Sequence, residues 1–262
     1  HRSLARTLTR RLQAGEHEGT RAAALEALYK HWLQAGQLQL AWQYGLEAAG
    51  EAARVLAFER AAQLYLDILG DRDKPGIAHL APGARPASLT PAVLSRVWER
   101  LAEMLEFIGD YGGASWALAE ALACLSKGDD APPVTLPEPH EDEHAETIRR
   151  LTLRLADDLV KTGQLESGQL VFERLLAPLG LRLVRSKLEA TGVLATLRLR
   201  LTAGDVLPER RHAITDADRY QLELFQRIFE AFCLVRPLYM TEALLRFQAL
   251  ARRVDDPAAR AY

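Results

Sequence analysis

The residues of this chain that most resemble a catalytic pattern are two histidines four positions apart, with a glutamate directly after the first. His140-Glu141-Asp142-Glu143-His144 has the spacing of an H-E-x-x-H zinc site, in which one helical face offers two imidazoles and a general base. Such a helix lies in a protein core, whereas both variable positions here are acidic and a proline precedes the motif. We interpret the segment as an acidic helix start, with a metal-dependent hydrolase using His140 and His144 as an alternative.

Other catalytic patterns are not found in the sequence. The glycines of Gly109-Asp110-Tyr111-Gly112-Gly113 are not followed by the Gly-Lys-Ser/Thr of a phosphate loop, and no G-x-S-x-G nucleophile motif occurs. We therefore expect this chain not to be an enzyme and to need no cofactor. Its function would then depend on binding.

Basic residues are the first candidates for contacting a partner. Residues 145–214 contain 12 basic side chains against 8 acidic ones, whereas residues 126–146 contain 1 against 7. One interpretation is that the acidic segment competes with an acidic partner for the basic helices; the alternative is that these are solvated helix faces. The partner-binding candidates among the arginines are Arg149, Arg150, Arg154, Arg182 and Arg185.

Aromatic residues near the end of the chain are the second candidates. Phe225, Phe229 and Phe232 recur at the spacing of one helical face. We expect this stripe, with Phe225 and Phe229 as its contact residues, to meet a following repeat or a second copy of the chain, because the ends of repeat arrays need covering. A homodimer through the repeat ends would satisfy the same need.

Composition limits the classes to which the protein can belong. The chain has 262 residues, of which 48% are hydrophobic, and a formal net charge of −2, so no general basic field for nucleic acid is predicted. No stretch of about 18 apolar residues and no signal peptide is seen. The two cysteines, Cys124 and Cys233, lie in apolar helical patterns, which favours a reducing compartment. We expect a cytoplasmic protein with no membrane association.

The secondary structure that positions these residues is predicted to be helical throughout. Apolar residues recur at intervals of three and four, and β-branched residues almost never alternate with polar ones. Two helices that follow loops have predicted start signals: Thr90 as cap with Pro91 in the first turn, and Thr215 with Asp216 as capping residues. The predicted helices span residues 2–14, 20–35, 38–52, 55–69, 91–108, 111–126, 144–162, 165–178, 187–203, 216–235 and 238–253.

Three predicted helix hairpins can be overlaid by their turn glycines, Gly36, Gly109 and Gly163. Large apolar residues lie eight and four positions before each glycine. In all three hairpins a small residue lies five positions after the glycine. A half-repeat without a glycine follows at residues 58–68. This spacing is typical of tetratricopeptide repeats, in which small residues allow two helices to approach closely. The repeat-building positions are Trp32, Gly36, Ala41, Trp98, Leu101, Gly109, Ala114, Ala121, Leu155 and Gly163.

The intervals between the turn glycines are longer than one standard repeat, so we expect an irregular tetratricopeptide-like α-solenoid of antiparallel helix hairpins. Its predicted parts are N-terminal helical repeats at residues 1–69, a Pro/Gly-rich loop at 70–90, a tetratricopeptide-like hairpin at 91–126, an acidic Pro-rich loop at 127–143 and C-terminal helical repeats, expected to be truncated, at 144–262.

Two segments carry a resemblance to a known family. His31-Trp32-Leu33-Gln34-Ala35-Gly36 with the Ala-rich sequence at 47–65, and the segment from Gln164 to Leu183, resemble the tetratricopeptide-like region that follows the ATPase module of large bacterial signal-transduction ATPases of the AAA/STAND type. Those proteins are often fused to a serine/threonine protein kinase. The resemblance implies a regulatory segment that binds proteins or other domains of its own polypeptide.

The leading hypothesis is therefore a non-catalytic protein–protein interaction and regulatory scaffold of a larger signalling ATPase or kinase. The alternative from another class is a small-ligand sensor, in which a superhelical groove closes on a metabolite and controls an attached ATPase. The partner would be a protein, a peptide or another domain of the same polypeptide, and no specific nucleic-acid partner is predicted.

Overall fold

The computed structural model describes residues 1–16, 19–70, 76–77, 86, 89–125, 145–184, 187–206 and 212–254. Among these residues 82% are helical and none lies in a strand, so the predicted all-α fold class is confirmed. Each predicted helix is present, and its ends differ from the predicted ones by no more than three residues. The helices are α1 (Arg2–Gln13), α2 (Arg21–Gln34), α3 (Leu38–Arg54), α4 (Phe58–Leu69), α5 (Pro91–Phe107), α6 (Tyr111–Leu125), α7 (Ala145–Lys161), α8 (Leu165–Leu176), α9 (Lys187–Val206), α10 (Asp216–Phe232) and α11 (Pro237–Arg253).

The two helices predicted to begin at a threonine after a loop do so. The Thr90 side chain accepts a hydrogen bond from the Val93 N–H at 3.3 Å, and Pro91 occupies the first turn of α5, where its missing N–H costs nothing. At α10 the Thr215 hydroxyl and the Asp218 carboxylate bond to each other's backbone N–H groups, which forms a capping box. Both starts are therefore encoded locally.

Three short connections between helices share one backbone geometry, built on the predicted turn glycines. Gly36, Gly109 and Gly163 have φ values of +66°, +83° and +83°, in the left-handed region that favours glycine. The residue after each glycine donates its backbone N–H to the carbonyl five residues earlier, and these distances are 3.0, 2.9 and 2.9 Å. The turn itself therefore favours glycine at these positions.

The connection between α3 and α4 uses the same geometry without a glycine. Leu56 has a φ of +62°, and Ala57 donates its N–H to the Ala52 carbonyl at 2.9 Å. An L-residue in this conformation costs roughly 1–2 kcal/mol because its Cβ approaches the backbone. The half-repeat predicted at residues 58–68 thus follows a turn equivalent to the other three.

The chain forms two compact units, His1–Thr152 and Leu153–Tyr262. In the first unit each helix from α1 to α6 packs against the next one along the chain. The alanines that the overlay places at close crossings, Ala41 and Ala114, are fully buried. Small side chains at these positions allow neighbouring helices to approach closely.

Helices of the first unit are also joined across the helix between them. The Tyr29 hydroxyl in α2 donates a hydrogen bond to the Asp67 carbonyl in α4 at 3.2 Å, and Arg60 in α4 forms an ion pair with Glu26 in α2. Burial, with a smaller contribution from the Asp67 carboxylate, raises the pKa of Tyr29 to about 12. The hydroxyl therefore remains a donor at neutral pH.

Aromatic residues join three helices in the core of the second unit. The rings of Phe172 in α8 and Phe232 in α10 lie 5.7 Å apart, and Tyr239 in α11 meets Phe232 edge-on at 5.3 Å. The Tyr239 hydroxyl donates to the Gln169 side chain of α8 at 3.0 Å. One aromatic cluster thus fixes α8, α10 and α11 against each other.

A fully buried carboxylate holds the segment after α8 against α11. Glu242 is 0% exposed; its Oε1 accepts a hydrogen bond from Arg246 at 2.7 Å, and its Oε2 accepts one from the Val184 backbone N–H at 3.1 Å. Both oxygens therefore have partners, as a buried charge requires. No pattern in the sequence indicated the hydrogen bond between Glu242 and the Val184 N–H.

The repeat-building positions predicted from the sequence lie either in turns or in the interior. Three are the turn glycines, and the other seven are at most 6% exposed: Trp32, Ala41, Trp98, Leu101, Ala114, Ala121 and Leu155. The solenoid arrangement and the predicted domain division stay predictions. The predicted loop at 127–143 lies outside the described residues, as does most of 70–90.

Candidate functional site

Two of the arginines predicted to bind a partner are paired with glutamates in the first unit. Arg149 contacts Glu146 at 2.6 Å, one turn away on α7. Arg150 forms an ion pair with Glu99 of α5, and this hydrogen bonding raises the pKa of the guanidinium. Arg150 therefore joins α7 to α5, which gives it a role within the fold.

The other predicted arginines belong to the second unit. Arg182 contacts Glu189 at 2.7 Å and remains largely exposed, whereas Arg154 is half-buried. Arg185 lies outside the described residues. The predicted set is thus divided between the units, with intramolecular partners for much of its charge.

Most of the phenylalanine stripe is buried in the core of the second unit. Phe225 is 4% exposed and Phe232 is 0% exposed, and Phe229 packs partly buried against the same core. The prediction that Phe225 and Phe229 meet a following repeat or a second copy stays a prediction, and the burial of Phe225 and Phe232 leaves little of the stripe exposed. The spacing correctly indicated a buried helix face but could not identify what buries it.

The H-E-x-x-H segment with His140 and His144 lies outside the described residues. Among the residues that are described, no group of three or more His, Cys, Asp or Glu side chains could hold a metal ion. The metal-site alternative stays a prediction.

An exposed apolar patch lies where two turns of the first unit meet. The patch consists of Val55 and Leu56 in the turn before α4, Phe58 at the start of α4, and Phe107 and Ile108 at the end of α5. Val55 is 55% exposed, Leu56 72%, Phe107 66% and Ile108 38%. Exposed apolar side chains are ordinary when scattered, but a contiguous group indicates a binding surface.

Stacking of two rings makes these residues neighbours in space. The rings of Phe58 and Phe107 lie 4.5 Å apart with an angle of 15° between their planes. Because Phe58 begins α4 and Phe107 ends α5, this contact places the α3–α4 turn beside the α5–α6 turn. The apolar patch is therefore one surface built from two connections.

The backbone of Leu56 is an independent indication that the patch has a role outside folding. Leu56 has a left-handed φ of +62°. A glycine would adopt this conformation without steric strain, as the glycines of the three equivalent turns do. The leucine side chain contributes little burial in return, since 72% of it is exposed. Strained residues of this kind concentrate at functional sites.

The sequence contained one signal for this patch. Overlaying the turns places Leu56 at the position that Gly36, Gly109 and Gly163 occupy, so a bulky residue replaces glycine in one turn of four. The contact between Phe58 and Phe107 had no such signal, because 49 residues separate the two rings.

The chemistry available at the patch is apolar contact with an acidic border. Glu59 and Asp110, which lie within two positions of patch residues in the sequence, are exposed, and Asp110 also accepts the Gly113 N–H at 2.9 Å. The nearest arginine in sequence, Arg54, is already bound to Glu51 at 2.8 Å. The patch therefore suits a partner that presents apolar side chains flanked by positive charge.

Comparisons with family models, curated proteins and solved structures find no match to this chain. Within the part of the chain that the structure describes, no helix is both long and apolar enough to cross a membrane.

Proposed function

We propose that this chain is a non-catalytic protein–protein interaction scaffold of the tetratricopeptide type, and that the apolar patch binds its partner. The observation that carries the proposal is Leu56: a strained, 72% exposed leucine occupies a turn position where glycine would be more stable. Binding accounts for this choice because the side chain becomes buried only in a complex.

The architecture supports a repeat scaffold. In the first unit successive helices pack in chain order, the turns at Gly36, Leu56 and Gly109 share one hydrogen-bonding pattern, and α2 bonds directly to α4 across α3. Tandem hairpins that bury their faces against neighbours are the basis of helical-repeat solenoids. The likeness to helical-repeat solenoids concerns the packing of the helices alone.

We also propose that the scaffold is the regulatory segment of a larger bacterial signalling ATPase, of a kind often fused to a serine/threonine kinase. The support is the resemblance carried by residues 31–65 and 164–183. Its partner would then be a separate protein or another domain of the same polypeptide, and a second copy of the chain is a further candidate. A cytoplasmic location accompanies this proposal.

The partner expected at the patch is a protein segment with an apolar anchor and basic flanks. Large apolar side chains supply most of the binding energy at protein interfaces, and the acidic border formed by Glu59 and Asp110 favours positive neighbours. A partner of this chemistry would cover both exposed rings and the leucine.

The test is a pull-down from bacterial extract with the purified chain, followed by mass spectrometry. We expect a discrete protein to be retained by the wild-type chain and lost from the variant L56S/F107S, because each substitution removes an exposed apolar contact. Binding of the identified protein should weaken at least tenfold in titration calorimetry.

The matched control is L188S/L199S, which changes two leucines of α9 that are 86% and 69% exposed. This variant should retain the partner with unchanged affinity. If both variants lose it equally, or if L56S/F107S binds as tightly as wild type, the patch is not the binding surface.

One observation favours the small-ligand sensor as a second candidate. The indole N–H of Trp32 is buried without an acceptor among the described residues, and such a donor would be satisfied by a bound molecule. A thermal-shift screen with metabolites tests this function. A ligand that stabilises the wild-type chain but not W32F would support it, and equal stabilisation of both would contradict it.

A further inference from the structure

The first helix carries a positive charge that no acidic residue of the helix itself balances. Helix α1 contains Arg2, Arg6, Arg10 and Arg11 and no acidic residue, and all four arginines are exposed. None of them has an ion-pair partner among the described residues. Most of the other described arginines of the same unit differ in this respect.

Those other arginines have glutamates beside them. Arg100 contacts Glu103 at 2.7 Å and Arg54 contacts Glu51 at 2.8 Å, each within one helical turn. Intramolecular pairing is therefore common on this surface, and α1 departs from it over its whole length.

Three of the arginines form a stripe along the helix. Arg2, Arg6 and Arg10 recur every fourth residue, so their side chains share one face and extend over about 12 Å. The apolar face of α1 is a different one: Ala5 is fully buried, and α1 packs against α2. The arginine stripe thus remains available on the solvent side.

Helix stability does not explain the stripe. Like charges four residues apart repel each other, and Arg2 in the first turn opposes the helix dipole. Only Arg10 and Arg11, in the last turn, are placed favourably for the dipole. A role in binding accounts for Arg2 and Arg6, which the helix dipole does not favour.

We propose that the Arg2–Arg6–Arg10 stripe is a second interaction surface, separate from the apolar patch, and that it binds an acidic helical segment of a partner protein. Guanidinium groups bind carboxylates through two parallel hydrogen bonds. Glutamates four residues apart on a partner helix would have the same axial spacing as the arginines, so three such pairs can form side by side.

Two other anionic partners fit the surface less well. Helix α1 has no aromatic residue to stack on bases, and the chain as a whole has a net charge of −2, which disfavours nucleic acid. A membrane-surface helix needs a free apolar face, whereas that of α1 already packs against α2 and leaves Leu4 as its exposed apolar residue. An acidic protein segment needs neither feature.

The test is fluorescence anisotropy with the full chain and a labelled alanine-based peptide that has glutamate at every fourth position. We expect salt-sensitive binding that the triple variant R2Q/R6Q/R10Q weakens about tenfold, from three exposed ion pairs. The same peptide with glutamine in place of glutamate should not bind. The variant R2K/R6K/R10K should recover only part of the affinity, because lysine restores the positive charge but not the two parallel hydrogen bonds of a guanidinium group.

The matched control is R198Q/R219Q/R227Q, which removes three exposed arginines from the second unit. It should bind the peptide within about twofold of wild type, because its charge loss lies elsewhere. Equal weakening by both triple variants would mean that only net charge matters and would overturn the proposal. Stripe-dependent binding of duplex DNA or phosphatidylserine vesicles, without peptide binding, would overturn it in favour of that partner.

Discussion

At the scale of single residues, Leu56 combines an unfavourable backbone conformation with an exposed apolar side chain. Both features lower stability or solubility, and the three equivalent turns avoid the first by using glycine. At this position glycine would favour folding, whereas the exposed leucine favours the proposed binding.

Replacing Leu56 by glycine should stabilise the chain by about 1 kcal/mol, because glycine has no Cβ to clash with the backbone in the left-handed conformation. The same substitution should weaken binding at the apolar patch. Urea unfolding measures the first effect and calorimetry with the identified partner the second. A loss of stability in L56G would show that the turn is not strained.

Gly109→Ala is the control for this prediction. A Cβ at Gly109 would meet no atom within 4 Å, so only the φ of +83° opposes the substitution. We expect a destabilisation of about 1 kcal/mol in urea unfolding, opposite in sign to L56G. An unchanged free energy of unfolding would contradict the argument for both positions.

At the scale of elements, the glycines inside helices differ in what surrounds them. In α8 a Cβ at Gly168 would lie 2.6 Å from the Val160 side chain and 3.0 Å from the Ala156 carbonyl oxygen of α7. In α3 a Cβ at Gly50 would meet nothing within 4 Å. Close helix approach therefore requires glycine at the first position but not at the second.

Gly168→Ala should destabilise the chain by about 1–2 kcal/mol, because the carbonyl oxygen belongs to the backbone and α8 must move away. Gly50→Ala should stabilise it by about 0.5–1 kcal/mol through helix propensity alone. Urea unfolding of both variants gives the comparison. Equal effects would mean that packing between α7 and α8 tolerates a methyl group.

The start of α10 should make stability depend on pH. Hydrogen bonding from the Thr215 hydroxyl, aided by the Thr215 N–H and by His212, lowers the pKa of Asp218 from its ordinary 3.8. Because the folded-state pKa lies below the unfolded one, the stabilisation is complete above pH about 4 and is lost as the pH falls through the folded value.

Asp218→Asn should therefore lower stability by about 0.5–1 kcal/mol at pH 7, with the difference from wild type shrinking below pH about 4. Thermal unfolding across this pH range measures it. Asp216→Asn is the control, since Asp216 is exposed in the first turn and does not take part in the capping box. A difference for D218N that persists at low pH would argue against the carboxylate as its source.

At the scale of the whole molecule, an exposed apolar patch accompanies a small net charge. The chain has 35 acidic and 33 basic residues, and its sequence pI is about 6.4. Little electrostatic repulsion then opposes association through apolar surfaces near that pH.

We expect turbidity of the concentrated chain to reach its maximum near pH 6.4 and to fall in the variant L56S/F107S. The control L188S/L199S should reduce turbidity less, because its two leucines are not part of the stacked patch. A maximum of equal height in wild type and L56S/F107S would show that association does not use the patch.

The sequence by itself determined the all-α class, the helix boundaries to within three residues and the turns at Gly36, Gly109 and Gly163. Helix periodicity, threonine caps and left-handed glycines act within a few residues of chain, so their signals can be read locally. The same reasoning identified buried helix faces correctly. It could not determine which element covers each face.

Only the tertiary structure decided which side chains are free. Phe225 has the spacing of a contact stripe but is buried in the core of the second unit, and Arg150 is bound by Glu99, 51 residues earlier. The stack of Phe58 on Phe107 follows equally from which helices meet, as does the lack of ion-pair partners for the α1 arginines among the described residues. Contacts between distant segments depend on how whole helices pack, and that packing is not encoded in any local pattern.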